Sequence, residues 1–285
     1  MKHSLFILSL FVCTHSMAQN ENNVPRSANS IMQTLEANDS TAQADGMRVA
    51  TQRWQIAIPL KVEIDNASEE IYQIIKPYSL IMVGEMHGTK EPAELLVYLV
   101  EQSTLHGDSV QVGFEIPIVN MSELASFFAT NEDGRGSTAW CNAIEQLSRN
   151  PLVKLFFFDN FSDKRDSTMY LLIKDAIIKH PTHQTFTLSG NVHNKMTPHR
   201  GEKTMGYYLV HDLDSDKILS ISHNYNEGTI YANFGQGTEL RTISPRYSHS
   251  PYTYEKSMIL TGSTENASYN CVYFTQKVSA SFPCR

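Results

Sequence analysis

The sequence predicts an α/β fold, with a mainly parallel central sheet flanked by helices and a mixed β and loop C-terminal part. Three observations predict it. Apolar residues make up 41% and charged residues 19% of 285, a balance that suits a globular chain rather than a disordered or fibrous one. Short continuous apolar runs such as Ser79-Leu80-Ile81-Met82-Val83 have strand length and read as strands buried on both faces. Segments with apolar residues at helical spacing alternate with those runs, which is the pattern of βα units.

The elements follow in order. Asn66 with Glu69 is a capping-box signature opening a helix from Glu69 to Ile75, and Lys76-Pro77 ends it. The first apolar run, 79–83, is a strand. After the polar segment Gly84 to Thr89, a helix spans Lys90 to about Thr104, with Leu95, Leu96, Leu99 and Val100 on one face. Val110 to Glu115 is the second strand. Asn120 with Glu123 caps a further helix, and another spans Ser137 to Arg149. Val153 to Phe158 is the third strand, Arg165 to Lys179 a helix, and Gln184 to Leu188 the fourth strand. Gly206 to Val210 and Lys217 to Ile221 also read as strands. From Asn224 onward the chain is rich in Gly, Ser, Thr and Tyr and reads as mixed β and loop.

The N-terminal residues have the order of a secretory signal peptide: a short polar start, an apolar stretch from Ser4 to Val12, and a small-x-small site at Ser16-Met17-Ala18. The expected organisation is a signal peptide at 1–18, a flexible Asn-, Ser- and Gln-rich leader at 19–52, and a single α/β domain at 53–285. The apolar stretch is shorter than the roughly 20 residues that span a bilayer, and no later segment is apolar enough. Val12 before Cys13 disfavours a lipidation site. Export, to periplasm or medium, permits disulfides. Cys271 and Cys284 are the expected pair, with Cys141 a buried inert thiol. A formal net charge of −7 and the absence of a large basic cluster exclude nucleic acid as the expected partner. Five Asn-x-Ser sequons, at Asn38, Asn66, Asn120, Asn160 and Asn266, matter only in a glycosylating host.

Parallel strands joined by handed crossovers end along one edge of the sheet, and that edge is where ligands bind in open α/β folds. The first strand runs into Gly84-Glu85-Met86-His87, the second ends in Glu115, the third in Asp159, and the fourth runs into Gly190-Asn191-Val192-His193. Glu85, His87, Glu115, Asp159 and His193 are therefore expected in one crevice. A lone histidine at a strand end is more often a surface residue than a ligand. Two strands ending in the same Gly-x-x-His arrangement, with a glutamate ending the strand between them, make a shared site the better reading. Gly84 and Gly88 permit a tight turn, and Thr89 is placed to cap the next helix, whose N-terminus would then favour an anion at the crevice. His223 is a further, peripheral candidate.

The strings Val83-Gly84-Glu85-Met86-His87-Gly88-Thr89-Lys90-Glu91, Phe114-Glu115-Ile116-Pro117 and Ser189-Gly190-Asn191-Val192-His193, with Arg165-Asp166, resemble the superfamily that joins erythromycin esterases, Tiki and TraB proteins, and ChaN-type haem-uptake proteins. The resemblance covers residues 77 to 210. It implies a compact α/β fold with the site at the strand ends. Its branches imply different activities: water-activating hydrolysis by His and Glu, divalent-cation-dependent proteolysis, or haem binding. The expected function is an exported hydrolase of an ester or peptide bond, acting on a small-molecule or peptide substrate. Glu85, His87, Glu115, His193 and Arg165 are its candidate catalytic residues, with Arg165 placed to hold an oxyanion or a substrate carboxylate. In a metal-dependent form, His87, Glu115 and His193 would ligate a divalent ion such as zinc, manganese or cobalt, leaving one position for water. The alternatives are haem or iron binding, for which no Cys-x-x-Cys-His attachment motif is present, and an interaction module with a decayed site.

Overall fold

The computed structural model describes residues 61–64, 68–117, 120–131, 133–160, 162–233, 237–243, 254–261 and 268–284. The signal peptide, Cys13, the 19–52 leader, the capping residue Asn66, and the sequons at Asn38 and Asn266 lie outside them.

The architecture is the expected one: a largely parallel sheet with helices packed against it. The strands are β1 (Lys61–Glu63), β2 (Leu80–Glu85), β3 (Val110–Phe114), β4 (Val153–Phe157), β5 (Gln184–Gly190), β6 (Ile218–Asn233), β7 (Thr238–Ile243), β8 (Met258–Thr261) and β9 (Cys271–Val278). The helices are α1 (Ser68–Ile75), α2 (Glu91–Leu105), α3 (Leu124–Thr130), α4 (Thr138–Ser148), α5 (Arg165–Lys179) and α6 (Met205–Asp212). Strand order is β1-β8-β9-β6-β2-β5-β3-β4, and β7 pairs with the far part of β6. From β9 through β4 every neighbouring pair is parallel, whereas β1, β7 and β8 pair antiparallel.

The apolar runs do what their composition requires. Leu80, Ile81, Met82 and Val83 of β2 and Val110, Val112 and Phe114 of β3 are fully buried. Leu95, Leu96, Leu99 and Val100 of α2 cover one face of the sheet with Trp140, Ile144 and Leu147 of α4. The strand Val153–Phe157 is only half-buried because it forms an edge.

Register, more than strand order, brings the polar strand ends together. The β5 strand inserts between β2 and β3, so Glu85 lies opposite Gly190 and Phe114 opposite Leu188. Glu115, the next residue, donates its backbone N–H to Leu188 O at 3.1 Å. Three strand ends are thereby held side by side.

Four expectations are corrected. Gly206 to Val210 is part of a helix, α6, rather than a strand. Thr204 accepts a hydrogen bond from Tyr207 N at 3.2 Å, Asp166 accepts one from Met205 N at 2.7 Å, and Met205 and Leu209 are buried one turn apart. Thr89 does not cap α2. Its hydroxyl bonds Met86 O at 2.8 Å, and the N–H of Lys90 goes to Ser279 O at 3.0 Å. Asn120 does not cap through its side-chain oxygen either; its amide donates to Glu123 at 3.0 Å ahead of a 3-10 turn, Met121–Glu123, that leads into α3. Finally, the disulfide joins Cys141 to Cys284, with Cα atoms 6.2 Å apart, and Cys271 is a free, fully buried thiol. Cys271 begins β9, and eight residues of strand at about 3.3 Å each carry the chain away from it before Cys284 is reached. Burial pushes the Cys271 thiol up to about 12. Among the described residues beyond Asn224, β6 continues to Asn233, and β7, β8 and β9 follow.

The segment after β9 crosses the edge where β2 ends. Ser281 N–H bonds Gly88 O at 2.8 Å, Thr138 N–H bonds Phe282 O at 2.7 Å, and Cys284 N–H bonds Gly136 O at 3.0 Å. One strap thus holds the loop after β2 and the loop before α4.

Candidate active site

Strand ends deliver the polar residues, and their burial dictates how they are bonded. Glu85, the last residue of β2, is 2% exposed. A carboxylate there is costly unless it is paired. Its Oε2 accepts the indole N–H of Trp140 at 2.9 Å, and its Oε1 meets His87 Nδ1 in a short hydrogen bond. The imidazole of His87 is consequently fixed at Nδ1, and its Nε2 points toward Glu115 Oε1, 3.8 Å away.

The second imidazole mirrors the first. His193 Nδ1 bonds Asp166 Oδ1 at 2.9 Å, and its Nε2 lies 3.8 Å from the same Glu115 oxygen. Both rings lie over Gly190: a Cβ there would be in ordinary contact, 3.4 Å from His87 Nε2 and 3.6 Å from His193 Cδ2.

Glu115 is wholly buried and bonded on both oxygens. Oε2 accepts Gly190 N–H at 2.7 Å; Oε1 accepts Arg165 Nη2 at 2.5 Å and Arg135 Nη1 at 3.3 Å. Asp159 completes the array, accepting Arg165 Nε at 2.7 Å and Arg135 Nη1 at 2.5 Å. Arg135 is anchored in turn by Asp133 through Nε at 2.9 Å. Burial alone would raise the Asp159 carboxyl, but bonds and charge from Arg165 and Arg135 hold it below its ordinary value. Burial would likewise depress the His87 imidazole. The charge of Glu85, its hydrogen bond and the charge of Glu115 outweigh that and raise it to about 8.

The candidate catalytic residues named from the sequence lie in this cluster: Glu85, His87, Glu115, Arg165 and His193, with Asp159 beside them. His223 is not. It is buried between the rings of Tyr273 and Tyr225 and bonds Thr275 at 2.9 Å, and burial drops its imidazole to about 3. Sequence reasoning missed Arg135, Asp133 and Trp140. The first two sit in Asp133-Gly134-Arg135-Gly136, a loop with no periodicity. Its one signal is a charged residue between two glycines.

The fold has relatives among solved structures. A protein described as a succinoglycan biosynthesis protein matches with a TM-score of 0.60 at 11% identity, covering 83% of this chain and 98% of that one. A protein from Bacillus cereus matches with a TM-score of 0.57 at 11% identity, covering 84% and 99%. A third match, with a TM-score of 0.52 at 9% identity covering 74% and 93%, is an erythromycin esterase mutant in its open conformation. The fold is shared with an esterase. No family model matches the chain, and no curated protein matches its sequence.

The site does not fit a metal. Among the described residues no group of three His, Cys, Asp or Glu side chains is disposed to hold one. The reason is visible at Glu115, where both oxygens are already bonded, one of them by two guanidiniums. A divalent cation would have to displace those charges to reach the oxygen–metal distance of about 2 Å that ligation needs. Among the described residues no helix is long and apolar enough to cross a membrane.

Proposed function

We propose that this chain is an exported, metal-free hydrolase of ester or peptide bonds, with His87 as the base that activates water. One observation carries the reading: two imidazoles, each fixed at Nδ1 by its own carboxylate, turn their Nε2 atoms toward one oxygen of Glu115 at 3.8 Å. The attacking water is placed between the two Nε2 atoms. His87 takes its proton at Nε2, and Glu85 stabilises the imidazolium that forms. The hydroxide adds to the substrate carbonyl, and the guanidinium of Arg165, which is part-exposed, faces the negative charge that develops on the carbonyl oxygen. The His87 imidazolium then returns that proton to the leaving group, while His193, held at Nδ1 by Asp166, keeps the attacking water in place through Nε2. Glu115 and Asp159 act as the fixed anions that hold Arg165 and Arg135. The erythromycin esterase that shares the fold supports hydrolysis as the class of chemistry.

The test is to purify the chain lacking residues 1–18 and measure hydrolysis of p-nitrophenyl esters and a mixed peptide library, with and without chelator. Positioned acid–base catalysis is worth about 100-fold or more, so His87→Ala and His193→Ala each lose at least that. Chelator changes nothing. Rates in both variants equal to the parent would exclude the mechanism, and loss of activity with chelator would exclude its metal-free form.

A further inference from the structure

The turn that carries His193 is docked on the sheet by a side chain that the acid–base chemistry does not use. Strands β2 and β6 pair only as far as Val83 opposite Ile221. Beyond that point the carboxamide of Asn191 takes the next stretch of β6. Its Oδ1 accepts the N–H of His223, and its Nδ2 donates to the carbonyl of the same residue, each at 3.0 Å. One carboxamide thus makes both of the bonds that a parallel neighbouring strand makes to a residue. Gly84 leaves the space for it: a Cβ there would fall 2.2 Å from Asn191 Oδ1 and 2.8 Å from Ile221 O. The glycine of one Gly-x-x-His segment and the asparagine of the other therefore interlock. We propose that Asn191 is a positioning residue, whose carboxamide sets where His193 stands relative to His87.

Three observations carry the assignment. First, Asn191 sits between the supports of the two imidazoles. Its own N–H donates to Glu85 O at 2.9 Å, and the N–H of Gly190, one residue earlier, donates to Glu115 at 2.7 Å. Second, each of its four polar atoms is bonded within the fold. The fourth, its carbonyl, accepts the buried hydroxyl of Tyr269 at 2.7 Å. A side chain committed in this way orients its neighbours rather than reacting. Third, the N–H of His193 bonds Gly190 O at 3.0 Å, so the turn from Gly190 to His193 is closed and moves as a unit. Asp166 holds the His193 ring at Nδ1, and Asn191 supplies the anchor on the backbone side. A misplacement of about 1 Å at such a group costs about 100-fold in rate.

The kinetic arm of the test rests on the hydrolysis proposed above; the spectroscopic arm does not. A Cβ on Gly190 would lie 3.6 Å from His87 Cε1 and 3.6 Å from His193 Cδ2, so a Gly190 α-proton gives nuclear Overhauser cross-peaks to both rings. These are recorded in the chain lacking residues 1–18. In Asn191→Ala the cross-peak to His193 is lost and the one to His87 stays. Hydrolysis of p-nitrophenyl esters by this variant falls about 10- to 100-fold in kcat with KM little changed. Tyr269→Phe, which removes only a hydroxyl, moves both readouts the same way by a smaller factor and decides the matter if the alanine variant does not fold. Gln184→Ala is the control for general loosening. The Gln184 carboxamide also bonds backbone, Ile75 O at 2.9 Å and Tyr78 O at 2.7 Å, but at the opposite end of β5. Its loss lowers the urea midpoint and leaves both cross-peaks and kcat in place. A His193 cross-peak unchanged in Asn191→Ala and Tyr269→Phe overturns the proposal, whether or not the parent hydrolyses an ester. Equal loss of that cross-peak in Gln184→Ala also overturns it. A parent that hydrolyses nothing, yet loses the cross-peak in Asn191→Ala, removes the proposed reaction and supports the positioning role.

Discussion

At the scale of single residues, the controlling feature is that each imidazole has one nitrogen committed and one free. Glu85 does more than orient His87. A carboxylate against Nδ1 favours the protonated ring and carries it to about 8. A base works only when neutral, so the proposed hydrolysis is weak at pH 6 and rises with pH through about 8. Replacing Glu85 by the isosteric Gln removes the charge that favours the imidazolium. The midpoint of the pH–kcat/KM profile then falls toward the ordinary histidine value of about 6.5, while kcat drops because the ring is no longer held. An NMR titration of His87 in the two proteins reads the same shift independently; an unchanged midpoint would count against Glu85 as the source. The histidines and Glu115 were legible in the sequence because each sits where an apolar run stops, and a strand end in a parallel sheet has a known destination. Arg135 was not legible. It reaches the crevice from a loop whose path is set by Asn131, which accepts Gly136 N–H at 3.0 Å, and by the strap at Cys284, and neither contact is written in local pattern.

At the scale of elements, the same division holds. Strand β2 was readable because burial on both faces demands an unbroken apolar run. The α6 helix was not, because Tyr207-Tyr208-Leu209-Val210 has the composition of a strand, and strand preference is a weak guide when tertiary contacts decide. Asp166, thirty-nine positions earlier, accepts the first N–H of that helix and so settles its state. The loop after β2 is the most constrained element. Gly88 has φ +88°, and a Cβ on it would fall 2.1 Å from Tyr231 O. Gly88→Ala must therefore shift the backbone that carries His87. The left-handed conformation alone costs on the order of 1–3 kcal/mol, so urea denaturation shows at least that loss, with hydrolysis falling in parallel. Wild-type stability in this variant would mean that the turn is free to relax.

At the scale of the molecule, the disulfide joins a helix beside the sheet to the strap that crosses the strand ends. Its two cysteines are separated by 143 positions. The chain-entropy view of such a closure gives a stabilisation of about 5 kcal/mol, and Tm falls on the order of 10 °C on reduction. Scanning calorimetry with and without dithiothreitol measures this directly. Cys271 does not complicate the comparison, because its thiol is buried and pushed up to about 12. No drop in Tm would mean that the strap holds without its covalent tie. Trp140, the donor to Glu85, is the neighbour of Cys141, so the covalent tie and the indole that holds Glu85 share one turn of helix. That strap also fixes when the site is first complete. Residues 279–284 leave the ribosome after every other part of the site, and their partners, Gly88 and Gly136, have by then been waiting since early in synthesis. A nascent chain that already carries both histidines, both arginines and all their carboxylates still has two unsecured loops. The site is therefore completed in a single late step, and a chain halted just short of Ser279 leaves both loops untied.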